Sequence, residues 1–118
     1  MFKNHLLTLI ICSFFTFLAF GSDDEKKDVS KMNSEAFTIS KNFVRETLKA
    51  PGSADFPTLD FTSDYMGENT YMVKSYVDAQ NSFGAKLRTH YVATLKFNGG
   101  DWADKSNWTL VDLKTSEQ

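Results

Sequence analysis

The stretch VDAQNSFGAKLRTHY, Val77 to Tyr91, decides how this chain folds. Apolar residues alternate with polar ones on both sides of a short segment that ends in glycine, which is the period of β-strands with one buried face. Extended outward, the first strand runs from Thr70 to Gln80, with Tyr71, Val73, Val77 and Ala79 on one side and Lys74, Tyr76, Asp78 and Gln80 on the other. The second runs from Ala85 to Asn98, with Leu87, Tyr91, Ala93, Leu95 and Phe97 opposed to Lys86, Arg88, His90, Thr94 and Lys96. Both strands carry their apolar residues at odd numbers. Facing residues of an antiparallel pair share a side of the sheet, so the connecting loop must hold an odd number of residues. A three-residue loop wants a left-handed last residue, usually glycine, and Ser82-Phe83-Gly84 meets both demands. That register predicts Asp78 opposite Arg88, Tyr76 opposite His90 and Ala79 opposite Leu87.

On the N-terminal side, Met32, Ala36, Ile39 and Phe43 recur at helical spacing, with Phe37, Val44 and Leu48 widening the stripe. This predicts an amphipathic helix over Val29 to Ala50, ended by Pro51-Gly52. A core-facing helix explains the stripe more simply than membrane or partner binding does. Leu59 and Phe61 alternate with Asp60 and Thr62 as a short strand would, and Gly67-Glu68-Asn69 is the turn after it. Asn98 to Asp101 (NGGD) is a second strong turn signal, followed by a strand over Trp108 to Lys114. In that last strand Trp108 and Leu110 have even parity while Val111 and Leu113 have odd parity, which requires either two buried faces or a bulge. The fold class expected is therefore α+β: one amphipathic helix packed on an antiparallel meander of about four strands.

The chain has 118 residues, enough for one small domain, expected at residues 29–118. Lys3 and His5 precede a 15-residue apolar run, Leu6 to Phe20, and Ala19 and Gly21 supply small residues before a cleavage point. These features predict a signal peptide over residues 1–21 and a periplasmic or secreted product, with Ser22 to Asp28 as a charged linker. The alternative is an inner-membrane anchor formed by residues 6–20, in which case the membrane is a partner of the uncleaved chain; a bilayer span wants about 20 apolar residues. Lipoprotein processing would need Cys where Ser22 stands. The single cysteine, Cys12, lies inside the apolar run, so a processed chain has no disulfide, thiolate nucleophile or thiolate metal ligand to use. Loss of Lys3 takes the formal net charge from -2 to -3. That balance argues against a nucleic-acid partner, which calls for a basic stripe.

Two motifs, LKAPGSADFP (Leu48 to Pro57) and SYVDAQNSFGAKLRTHYVATL (Ser75 to Leu95), together resemble a small bacterial domain of unknown function that recurs in exported or membrane-tethered proteins. The resemblance covers roughly residues 37–113. It implies export and a helix packed on an antiparallel sheet, and it brings no catalytic residue with it. Relatives with a lipobox cysteine would be anchored; Ser22 departs from that pattern.

The polar side of the hairpin gathers Tyr76, Asp78, Gln80, Lys86, Arg88 and His90, and its tip carries Phe83. Any sheet with one wet face shows polar alternation, and an exposed Asp78–Arg88 pair adds little stability. What marks this face is its content of Tyr, Arg and His, types favoured at recognition surfaces over Lys and Glu. A non-catalytic module that binds an envelope protein or polymer through Tyr76, Asp78, Gln80, Phe83, Arg88 and His90 is the leading functional expectation. A small hydrolase centred on His90 is the alternative, and an immunity or accessory protein a third. No catalytic set, cofactor motif or metal-ligand spacing stands out; Asp101, Asp104 and Asn107 read as a polar loop rather than a calcium site.

Overall fold

The computed structural model describes residues 28–117. The apolar run, the cleavage point after Gly21 and most of the charged linker lie outside the described residues. One α-helix, α1 (Asn33–Arg45), and four strands, β1 (Thr62–Gly67), β2 (Thr70–Gln80), β3 (Lys86–Phe97) and β4 (Trp108–Glu117), make an α+β fold. The strands form one antiparallel sheet in the order β1-β2-β3-β4, a meander with the helix packed on one face.

The central hairpin has the register its parity demands. Asp78 faces Arg88, Tyr76 faces His90 and Ala79 faces Leu87. Asn81 N–H donates to the Ala85 carbonyl at 2.8 Å, which closes the three-residue loop. The Asn81 carboxamide oxygen accepts from the amides of Phe83 and Ala85 at 2.9 and 3.0 Å, and Gly84 sits at φ +82°. Glycine takes that left-handed geometry without steric penalty. The β1–β2 turn is tighter: Glu68 and Asn69 both have positive φ, the two-residue type that matches strand twist.

Three sequence boundaries move. The helix is shorter than Val29 to Ala50 because Val29–Lys31 form a separate 3-10 turn capped by Asp28, and the chain leaves the helix at Glu46. There Thr47 bonds back to the Val44 carbonyl through both its amide and its hydroxyl, so the helix stops before Pro51 is reached. The first strand lies over Thr62–Gly67 instead of around Leu59, which is 84% exposed. The third change is at β4, which runs on to Glu117 and carries a bulge. Leu110 faces Leu95 whereas Asp112 faces Thr94, leaving Val111 as the extra residue. The bulge resolves the conflicting parity: Trp108 and Leu110 reach the core before it, and Leu113 turns coreward after it.

The odd-numbered face of β2 and β3 is sealed by α1. Ala36, Phe37, Ile39 and Val44 meet Tyr71, Val73, Val77, Tyr91, Ala93 and Leu95, all buried. Rings supply much of this core: Phe37 stacks on Phe61 at 4.0 Å, and Trp108 lies against both Tyr71 and Phe97. Two tyrosines pin the helix to the sheet. Tyr71 Oη accepts from the Met32 amide at 2.9 Å. Ser40 Oγ donates to the Phe37 carbonyl at 2.7 Å, so its contact with Tyr91 Oη at 3.0 Å has the tyrosine as donor. Burial pushes both phenol pKa values up, against the opposing effect of these hydrogen bonds.

Candidate functional site

None of the even-numbered residues of β2 and β3 is buried. The organisation of this face starts from the two strands, whose pairing sets Tyr76, Asp78 and Gln80 beside His90, Arg88 and Lys86. All six of these sequence-identified residues share one face. Arg88 binds Asp78 in bidentate fashion, Nε to Oδ1 at 2.8 Å and Nη2 to Oδ2 at 2.9 Å. The same guanidinium lies 3.9 Å from the centroid of the Tyr76 ring. Hydrogen bonding to Arg88 holds the Asp78 carboxyl below its ordinary pKa, and the same bonds hold the guanidinium more firmly protonated than usual. Asp78, Arg88 and Tyr76 are thus committed to one another, and His90 lies alongside, 6.0 Å from Tyr76 between ring centroids.

The segment before β1 holds the far end of β2. Asp55 and Asp78 exchange backbone hydrogen bonds at 2.8 and 3.0 Å, and Ser53 Oγ accepts from the Gln80 amide at 2.9 Å. Lys86 approaches the Asp55 carboxylate at 3.9 Å. These contacts join the LKAPGSADFP stretch directly to the hairpin and cover strand edge that β1 is too short to reach. In this chain the first motif supplies an edge for the second.

A bulge bends its strand and raises the local twist, and the sheet has one in β1 beside Met66 and one in β4 at Val111. On the twisted open face lies a concavity of about 620 Å³ with Lys74, Tyr76, Arg88, His90, Val92 and Lys114 in its lining, and Asp60 and Ser116 at its sides. Sequence reading found Tyr76, Arg88 and His90 but not Lys74, Lys114 or Ser116. Lys74 was visible on the right face of β2 and lacked only a reason to be singled out. Lys114 and Ser116 had no such signal, because the bulge sets their side. Asp78, Gln80 and Phe83 do not line the concavity; Phe83, at the tip, is 94% exposed and does not fold back.

Two side-chain atoms among the described residues are enclosed without a hydrogen-bond partner, Ser63 Oγ and His90 Nε2. For His90 this means that its Nε2 is paired with no hydroxyl or carboxylate. No group of three or more His, Cys, Asp or Glu comes together to hold a metal among the described residues. The Asp101–Asn107 loop uses its polar atoms on itself: Asp101 Oδ1 accepts from Ala103 N, Asp104 Oδ1 from Ser106 N and Oγ, and Asn107 Nδ2 donates to the Asp101 carbonyl. Among the described residues no helix is long and apolar enough to cross a membrane. No family model, no curated protein and no solved structure matches this chain.

Proposed function

We propose that the domain is a non-catalytic binding module of the bacterial cell envelope, and that it engages a protein or envelope polymer through the open face of its sheet and the Phe83 tip. The observation that carries this reading is the asymmetry of the sheet: one face is sealed by a helix, while the other keeps a concavity of about 620 Å³ over Tyr76, Arg88 and His90. Clefts of this size are where proteins commonly hold ligands. The exposed Phe83 ring adds an apolar anchor next to the polar face, at a position where folding gains nothing from it.

Export rests on the apolar run at residues 6–20 and on the motif resemblance, and the proposal places the chain with the exported bacterial domain that those motifs resemble. N-terminal sequencing of the protein recovered from a periplasmic or secreted fraction is expected to begin at Ser22; a start at Met1 in a membrane fraction would instead identify residues 6–20 as an anchor. For the binding face, the full chain is used as bait in an envelope extract, beside an Arg88→Ser/His90→Ser double variant. The expected result is loss of the captured species in the variant. Unchanged capture would remove the open face from consideration.

A further inference from the structure

The register of the sheet arranges the open face around His90. Across the strands, Tyr76, His90 and Ser116 form one row and Lys74, Val92 and Lys114 the next. Arg88 precedes His90 by two residues on the same side of β3. Diagonal neighbours on a sheet face lie about 7 to 8 Å apart, so three cations of three different strands stand within one diagonal or one strand repeat of a single histidine. The lining contributes one carboxylate against them, Asp60. Of the three, Arg88 is neutralised by Asp78, and Lys114 touches Asp112 only at 4.0 Å in an exposed pair. Lys74 makes no ion pair among the described residues. A local cationic concavity on a chain of formal net charge -2 is not a consequence of overall composition.

We infer that this concavity, on the binding-module reading above, is a site for an oxyanion: a phosphate or carboxylate group carried on a small organic body. Lys74 and Lys114 flank Val92 and supply the charge, Arg88 fixes the opposite side, and Val92 gives the body an apolar floor. The volume exceeds what a bare phosphate needs, which is why the group is placed on a larger ligand. The orphaned His90 Nε2 is the second observation. An enclosed nitrogen without a partner is costly in a folded protein, and a small shift of its neighbours would let an anionic oxygen pair with it. Asp78 acts as a positioning residue, since its two hydrogen bonds hold the guanidinium in place.

The test is an amide-resolved NMR titration of the full chain with glycerol 3-phosphate and with galacturonate, followed by their polymers, poly(glycerol phosphate) and polygalacturonate. Saturable shifts centred on Lys74, His90 and Lys114 are expected, with Lys74→Gln/Lys114→Gln weakening binding about tenfold or more and Lys96→Gln, on the same face outside the concavity, leaving it unchanged. The phosphate and carboxylate arms identify the anion, and tighter binding of polymer than monomer identifies an envelope chain as its source over a free small molecule. Shifts that never saturate, that spread evenly over surface lysines, or that survive the double variant overturn the inference. If these fail while capture from the envelope extract still depends on Arg88 and His90, the binding-module reading stands and only the oxyanion is wrong. Loss of both results sinks both.

Discussion

The two faces of one sheet differ by a single parity, and they obey opposite rules. On the odd face of β2 and β3, Tyr71, Val73, Val77, Tyr91 and Leu95 are packed under α1, and the two tyrosine hydroxyls are matched to Met32 at the helix N-cap and to Ser40 within the helix. On the even face, one or two residues away along the same backbone, cations gather around a histidine nitrogen that has no partner. The first face is organised by what folding requires. The second contains groups that folding does not use, and residues spared from stabilising work are the ones free to recognise something else.

The contrast can be broken most severely from the core side. Leu95→Ala opens a cavity under the helix and is expected to cost about 2 to 5 kcal/mol in urea unfolding, with an unchanged denaturant slope. Tyr71→Phe comes next. It strands the buried Met32 amide, and the expected loss is about 1 to 3 kcal/mol. Tyr91→Phe is milder, about 0.5 to 1.5 kcal/mol, because Ser40 keeps its bond to the Phe37 carbonyl. A loss for Tyr91→Phe larger than that for Tyr71→Phe would contradict the donor assignment at Ser40. At the small end, Lys74→Gln and Phe83→Ser should each change stability by no more than about 0.5 kcal/mol. A larger loss in either would show that the open face is part of the folding machinery after all.

The pH dependence separates the faces in a second way. Tyr71 and Tyr91 have folded pKa values raised above the ordinary 10.0, so their contribution is complete below pH 10.0 and is lost as pH rises through the raised values. Asp78 is the reverse case: its folded value lies below the ordinary 3.8, so its contribution is complete above pH 3.8 and is lost as pH falls through the lowered value. Denaturation midpoints followed against pH should therefore fall on the alkaline side less steeply in Tyr91→Phe than in the parent chain. On the acid side, Asp78→Asn should flatten the decline. A variant profile parallel to that of the parent would mean that the named group is not responsible.

Much of this was legible in the chain. The odd positions of Val77, Ala79, Leu87 and Tyr91, with Gly84 at the end of the loop, were enough for the strand register, because pairing and side-chain direction are both local periodic rules. The buried stripe Ala36, Ile39, Val44 was legible for the same reason. The helix end was misplaced at Ala50 because a threonine three residues beyond Val44 offered the backbone an earlier exit than the proline did. Leu59 suggested a strand by alternation but lies outside one, since the chain must first close the edge of β2 through Asp55 and only then turn into β1.

By itself, then, the sequence determined a helix with one apolar face, a hairpin of known register, and a polar patch of Tyr76, Asp78, Gln80, Lys86, Arg88 and His90 on the side away from the core. Only the tertiary structure decided what joins that patch. Had β4 continued in the register of Leu110 opposite Leu95, Lys114 would have faced Tyr91 on the core side. The extra residue at Val111 moves the pairing by one, sets Lys114 opposite Val92 and Ser116 opposite His90, and so turns a two-stranded polar stripe into a three-stranded one. Alternation along a strand is written in its own residues, but the side on which a neighbouring strand presents its charges is set by how the two strands pair.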